Sequence, residues 1–121
     1  MKPVQVTVEI PRERKDVYDF LAVSANHESF NRHMMSEFTF AGPPSGVGSI
    51  IHATAGLGGR TEPVAIEVID DVPGERIVER NVGAGGKRVA TGTYALADSP
   101  KGTTVTFTYA WQSAPFVSSA P

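Results

Sequence analysis

The chain contains no cysteine among its 121 residues. Thiol catalysis, disulfide bonds and metal sites built on cysteine are therefore excluded, and thiols give no information on the redox environment. Histidine is scarce as well: the chain has only His27, His33 and His52, and no HExxH pattern. We therefore predict no metal site and no cofactor, and we expect each histidine to be exposed or half-buried.

Long apolar runs and basic stripes are also missing. No apolar stretch approaches the length of a membrane span, and the amino terminus alternates apolar with polar residues, unlike a signal peptide. The net charge is -2, with no basic stripe that would attract nucleic acid. A chain of this length can bury a core without metal or disulfide support. We expect one domain, residues 1–121, in a cytoplasmic protein without a nucleic-acid partner or a membrane span.

The strongest local pattern is a hairpin at residues 89–111. Large apolar residues fill every other position from 105 to 111 and alternate with threonine and alanine, which is typical of a half-buried strand. Residues 98–102 (DSPKG) supply the turn chemistry, since proline fixes φ and glycine accepts a positive φ. Large side chains then oppose small ones on one face, which can fill a core or leave a pocket. The predicted pairs are Leu96 with Val105, Tyr94 with Phe107, Gly92 with Tyr109 and Ala90 with Trp111.

Before the hairpin, the sequence predicts one strand, two short helices and further strands. Val4 to Ile10 alternates apolar and polar residues, and Pro11 ends this strand. Helical spacing of apolar residues indicates a helix at about residues 13–22, and a second helix around residues 27–32 would have Phe30 as its buried anchor. Strand-like segments separated by glycine and proline then follow to the end of the hairpin. The predicted class is α+β, with a seven-stranded antiparallel sheet.

This order of elements, together with G-x-Y-x-L at 92–96 and G-T-x-V-x-F at 102–107, resembles the START-like helix-grip superfamily. Within it, the chain most resembles the polyketide cyclase/dehydrase-like SRPBCC proteins. The resemblance covers most of the chain and implies a curved sheet around a cavity for lipids, polyketides or other apolar molecules. The candidate ligand-binding residues are Phe30, Gly92, Tyr94, Phe107, Tyr109 and Trp111.

Members of this superfamily continue after the last strand into a long helix that the sheet grips. Here residues 113–121 contain two prolines and no helical period, so we expect that helix to be absent from this chain. An uncovered concave face would expose a large apolar patch, which monomers rarely do. We therefore expect either a homodimer or a natural protein that continues beyond Pro121.

Several charged residues lie on strands that could face a pocket, and the strand register decides which of them do so. A slip of one residue exchanges Glu67 with its neighbour, or Glu79 with its neighbour, between the pocket and the solvent. The same ambiguity applies to Arg80 and Arg88, and we expect each of these charges to be exposed.

Three functions remain open from the sequence. The first is binding of a small apolar molecule on the concave face, driven by apolar burial. The second is a cyclase or dehydratase in which a polar pair inside the cavity moves a proton. The third is an interaction module that dimerises or binds a partner protein through an open sheet face. A carboxylate or histidine pointing into the cavity would favour the enzyme.

Overall fold

The structure is a computed structural model and describes residues 2–57 and 59–113. Between the first two strands lie α1 (Arg14–Ala22), a 3₁₀ helix (Ser24–His27) and α2 (Glu28–Asn31). A second 3₁₀ helix, Ala84–Gly86, joins the fifth strand to the sixth. The strands are β1 (Val4–Ile10), β2 (Met35–Ala41), β3 (Ile50–Leu57), β4 (Arg60–Val72), β5 (Arg76–Gly83), β6 (Arg88–Ser99) and β7 (Gly102–Ser113).

The seven strands form one curved antiparallel sheet in the order β1-β7-β6-β5-β4-β3-β2. The predicted α+β class, with two short helices after the first strand, is confirmed. Within residues 2–57 and 59–113, no long helix follows β7. Residues 114–121, on which the expectation about the carboxyl terminus partly depends, lie outside the described residues.

The closing hairpin has the register that the alternation predicts. All four predicted pairs, from Leu96 opposite Val105 to Ala90 opposite Trp111, are observed between β6 and β7. Their face of the sheet is the one against which the helices pack, and it is called the concave face below. The opposite, convex face of β1 and β7 is polar: Gln5 donates to Thr108 over 3.1 Å, and the hydroxyls of Thr7 and Thr106 are 3.3 Å apart.

Helix α1 closes one end of the concave face. Its buried Val17 packs against Leu96 and Val105, because the apolar residues of this short helix recur on one side. On the flanks of the helix, the Tyr18 hydroxyl donates to Asp71 over 2.5 Å and the Arg14 guanidinium lies 3.2 Å from the Asp98 carboxylate. These polar contacts hold α1 on the tips of two hairpins and so fix its distance from the sheet.

The other end of the concave face has its own core cluster, Ile51, Ala53 and Ile66, with Phe38 packed against it. Near this cluster a buried contact of 2.5 Å joins the hydroxyls of Ser24 and Ser49. This contact ties the 3₁₀ helix Ser24–His27 to the chain just before β3. The start of the segment that follows α1 is therefore anchored beside the sheet.

The edge strand β1 departs from its prediction. Its alternation predicts one buried face, yet Val4, Val6 and Val8 are each about half exposed, at 50%, 54% and 49%. They lie on the concave face opposite Tyr109, Phe107 and Val105. The pattern correctly predicts which side chains share a face, but burial depends on what covers that face, and only part of it is covered here.

Candidate ligand site

A cavity of about 580 Å³ lies between α1, β1 and β7 on the concave face. Its walls are almost entirely apolar, with one phenol and two charged side chains, those of Arg12 and Asp16. A volume in this range is typical of sites for drug-sized molecules. The lining residues are Val6, Val8, Ile10, Arg12, Asp16, Val17, Phe20, Leu21, Phe30, Tyr94, Val105 and Phe107.

The register of the sheet places the lining side chains. Apolar residues of β1 and β7 alternate with period two, and three from β1 (Val6, Val8, Ile10) and two from β7 (Val105, Phe107) point to the cavity. From the helical side, Phe20 and Leu21 of α1 and Phe30 of α2 supply the opposite wall. Phe20 is 47% exposed and Phe30 is 37% exposed, so this wall presents apolar rings that the protein itself does not cover.

Seven rings run across the concave face in one continuous row. The shortest centroid separations in it are 4.7 Å, between Tyr94 and Phe107, and 4.9 Å, between His27 and Phe30. Separations of this size are typical of interacting aromatic pairs. In order, the row consists of Phe20, Phe30, His27, Tyr94, Phe107, Tyr109 and Trp111.

The structure brings the six predicted ligand residues onto the concave face but not all into the cavity. Phe30, Tyr94 and Phe107 line the cavity, whereas Tyr109 and Trp111 continue the ring row outside its lining. Gly92 does not line it either. A Cβ on Gly92 would lie 3.1 Å from the ring of Phe107, so the space beside this glycine is already filled.

His27 is the residue that the sequence analysis missed. It is 3% exposed, so the expectation of an exposed or half-buried histidine is wrong at this position. It also replaces Phe30 as the buried anchor of its segment, since the phenyl ring faces the cavity instead. The available signal was the spacing: positions 27 and 30 share one side of a helical turn.

The ring of His27 joins the backbone of α1 to a carboxyl group on the sheet. Its Nε2 lies 2.6 Å from the carbonyl oxygen of Leu21, which can only accept, so Nε2 carries a proton and donates. Its Nδ1 lies 3.6 Å from Oε2 of Glu79 on β5. A neutral His27 therefore presents an unprotonated nitrogen to Glu79.

Glu79 faces inward, which corrects the expectation that its charge is exposed. Only 5% of it is exposed, and burial raises the pKa of Glu79 to about 7. Burial also lowers the pKa of His27. Both shifts favour the uncharged forms, so a neutral carboxylic acid beside a neutral imidazole is the favoured state of the pair near pH 6.

Two phenols face the same carboxyl group. Burial and, second, the charge of Glu79 raise the pKa of Tyr94. Burial raises the pKa of Tyr109 as well, although Arg88 acts in the opposite direction. Both phenols therefore stay protonated at neutral pH and can donate a hydrogen bond.

The remaining charges divide between the two faces of the sheet. Arg88 turns inward and pairs with Glu62, whose carboxylate also accepts from the backbone N–H of Ala84 over 2.9 Å. The expectation of an exposed charge is thus wrong for Arg88. Glu67 and Arg80 lie on the convex face, 3.6 Å apart and each more than a third exposed, as expected.

Neither a metal centre nor a membrane span is found in the part of the chain that the structure describes. No group of three or more histidine and acidic residues there could hold a metal ion. No helix in residues 2–57 and 59–113 is long and apolar enough to cross a bilayer.

Comparison with known proteins shows the fold. No family model and no curated protein matches this sequence. Among solved structures, the chain is similar to Mll3558 from Rhizobium loti, with a TM-score of 0.71 and 22% identity over 98% of this chain and 84% of that one. It is also similar to major latex-like protein 151 from Panax ginseng, with a TM-score of 0.73 and 10% identity over 93% and 79% of the two chains.

A third similar structure is Ara h 8.0201, with a TM-score of 0.69 and 11% identity over 96% of this chain and 82% of that one. Likeness at these identities concerns the fold alone. The chain has the helix-grip fold, as its sequence motifs predict, without a long helix after β7 in the described residues.

Proposed function

We propose that this protein binds a small hydrophobic molecule in the cavity between α1, β1 and β7. The observation that carries the proposal is a cavity of about 580 Å³ with nearly apolar walls, in which Val6, Val8 and Phe20 are each about half exposed. An apolar ligand would remove these groups from water, and that transfer contributes roughly 25 cal/mol per Å². The general association of the helix-grip fold with apolar ligands supports the same proposal.

The charges of the site indicate which kind of molecule fits. Arg12 and Asp16 are the two charged lining residues, and both come from the start of the helical segment. The other lining side chains are aliphatic or aromatic, so the body of the ligand is expected to be uncharged. Aromatic and aliphatic ring compounds of about 15 to 25 heavy atoms match a cavity of this size.

Phe20→Ala tests the site directly, with Phe40→Ala as its matched control. The two phenylalanines are 47% and 44% exposed, but only Phe20 lines the cavity. If the ligand covers about 50 Å² of the Phe20 ring, the variant loses about 1.2 kcal/mol, or about eightfold in affinity. The measurement is a fluorescence titration with the uncharged probe N-phenyl-1-naphthylamine. Equal losses in both variants, or none in either, would contradict the proposal.

An acid–base enzyme of the cyclase or dehydratase kind is the second candidate. The observation that favours it is the pair of Glu79 and His27, a carboxyl group with its pKa near 7 beside an imidazole. Tyr94 lines the cavity and lies in the field of Glu79, so it connects this pair to the ligand space. Glu79 itself does not line the cavity, which is why binding remains the first proposal.

Dehydration of a β-hydroxy ketone tests the enzyme candidate. With 4-hydroxy-4-phenylbutan-2-one, loss of water gives a conjugated enone that is followed by its ultraviolet absorbance. An enzyme would show turnover that falls at least about 100-fold in Glu79→Gln, because removal of a general acid or base costs this much. Turnover that is equal in the two proteins, or no turnover above buffer, would count against the enzyme.

Self-association stays a prediction for the same face. The half-exposed valines of β1 lie on an edge strand, and a second copy could cover them. Sedimentation over a wide concentration range is expected to show a dimer that Val6→Lys weakens. A monomer at every concentration would contradict it.

A further inference from the structure

The segment between α1 and β2 contributes His27 to a buried titratable pair whose other member, Glu79, lies on β5. Residues 24–31, which comprise the 3₁₀ helix and α2, are called the lid below. The lid places the ring of Phe30 in the cavity wall and packs it 4.9 Å from the ring of His27. His27 in turn is the lid residue that contacts both α1 and the sheet. The Phe30 ring of the cavity wall therefore packs directly on His27.

The hydrogen-bond geometry allows only certain protonation states while the lid is closed. Nε2 of His27 must carry a proton, because it faces the Leu21 carbonyl at 2.6 Å. If Glu79 is ionised while His27 is neutral, the carboxylate faces the lone pair of Nδ1 across 3.6 Å, with almost no water around it. Moving the remaining proton to Nδ1 would only transfer the repulsion to Nε2 and the Leu21 carbonyl.

One additional proton on the pair removes this repulsion. When the proton is on Glu79, both side chains are uncharged, which is the favoured state for Glu79 at 5% exposure and His27 at 3% exposure. The other titratable groups that face the pair are the phenols of Tyr94 and Tyr109, which hold their protons at neutral pH. Arg88, which acts on Tyr109, is itself paired with Glu62.

We propose that retention of one proton by the buried pair of His27 and Glu79 keeps the lid against the sheet, so that the cavity is closed in mildly acidic to neutral solution and loosens as this proton is lost. Opening of the lid would move His27 away from Glu79 and let the carboxylate reach water. It would also withdraw Phe30 from the cavity wall. The link to ligand binding rests on the proposed function, whereas the motion of the lid does not.

The expected pH dependence follows from counting protons in the closed and open states. The closed pair holds one proton up to about pH 7, the raised pKa of Glu79. The open pair holds one proton, on His27, only up to its ordinary pKa of 6.5. Opening is therefore nearly independent of pH between about 4.5 and 6, and by pH 8 it is about threefold greater than on this plateau.

Amide hydrogen exchange of the unliganded full chain tests the motion, with rates corrected for intrinsic exchange. Peptides that cover residues 24–31 are expected to show about a threefold increase in opening between pH 5.5 and 8, while peptides of the β6–β7 hairpin do not change. In Glu79→Gln, whose amide cannot ionise, opening of the lid is expected to decrease up to pH 6.5 and then stay constant. An identical profile in both proteins would overturn the proposal.

Nitrogen NMR of His27 provides a test that needs no variant. The proposal predicts a neutral ring with a proton on Nε2 and none on Nδ1 at pH 5.5, where an exposed histidine is mostly charged. An imidazolium that titrates near pH 6.5 would overturn it, even if Glu79→Gln fails to fold.

Titration with N-phenyl-1-naphthylamine from pH 5.5 to 8.5 then tests the link to the cavity. Affinity is expected to fall above pH 7 in the wild type, whereas in Glu79→Gln it is expected to rise up to pH 6.5 and to stay constant at higher pH. Constant affinity in the wild type would overturn control of the cavity by the lid. Failure to bind at any pH would overturn the proposed function, and the exchange comparison would still decide the motion of the lid.

Discussion

Replacing Gly102 with alanine is expected to destabilise the chain by about 3 kcal/mol or more. Gly102 begins β7 with φ at +145°, a backbone conformation that other residues rarely adopt. A Cβ there would overlap the carbonyl oxygen of Ile10 and lie 2.8 Å from the backbone nitrogen of Arg12. These contacts are with backbone atoms and cannot be relieved by a rotamer change, so strain of about 1 to 3 kcal/mol adds to a comparable cost of overpacking.

Gly46→Ala is the matched control for this prediction. Gly46 also has a positive φ, +83°, but a Cβ at this position would meet nothing within 4 Å. Its cost is therefore limited to the backbone conformation, about 1 to 2 kcal/mol. Urea unfolding of both variants measures the difference. Equal losses of stability would show that β1 and β7 do not meet at Ile10 as described.

Between pH 4.5 and 7, the unfolding free energy of Glu79→Gln is expected to rise by about 3 kcal/mol relative to that of the wild type. The folded chain holds the Glu79 proton up to about pH 7, whereas the unfolded chain releases it near 4.5. The stabilising contribution of Glu79 is therefore complete below pH 4.5 and is lost as the pH rises to 7. Glutamine does not ionise, so the variant keeps this stability. Its relative gain in unfolding free energy corresponds to a pKa shift of about 2.5 units, at about 1.36 kcal/mol for each unit.

Comparing the two proteins removes the opposite contribution of His27. Its pKa is lowered in the folded state, so its stabilising contribution is lost as the pH falls below 6.5. This contribution of His27 to the pH dependence of stability is common to both proteins. Glu67→Gln on the convex face serves as the control, because this carboxylate is more than a third exposed and its ion pair with Arg80 contributes little to stability. If the unfolding free energy of Glu79→Gln runs parallel to that of the wild type as the pH changes, Glu79 is not buried as a neutral acid.

The sequence predicts the fold well because its strongest signals are local. Alternation in β7 and the turn at residues 98–102 together determine the hairpin register, and every predicted pair is observed. The helices after β1 follow from spacing and from Pro11 in the same way. The prolines near the end of the sequence predict no long helix after β7, and residues 2–57 and 59–113 contain none there.

The inner part of the site was not predictable, because its register depends on irregular features. A bulge between Val68 and Asp70 shifts β4 against β5, and another between Val89 and Ala90 shifts β6 against β7. The link from β5 to β6 contains Ala84 with φ at +52°. Small changes at any of these points would turn Glu79 outward, and nothing in the local pattern specifies them.

His27 and Phe30 illustrate a second limit of sequence reasoning. The helical spacing correctly places both side chains on the same side, but it does not indicate which of them is buried. In the structure the more polar ring is buried, because the Leu21 carbonyl and Glu79 provide polar partners for it. Partners that are 6 and 52 positions away in the chain are not visible in a local pattern.

The central claim is that an apolar molecule binds between α1, β1 and β7, and methyl NMR of the complex with N-phenyl-1-naphthylamine tests it most directly. We expect intermolecular NOEs from the probe to methyl groups of Val6, Val8 and Leu21, which line the cavity. We expect none to Val47 or Ile69, which are 61% and 41% exposed but lie outside the cavity lining. Saturable binding with NOEs to Val47 or Ile69, and none to the lining methyl groups, would contradict the account.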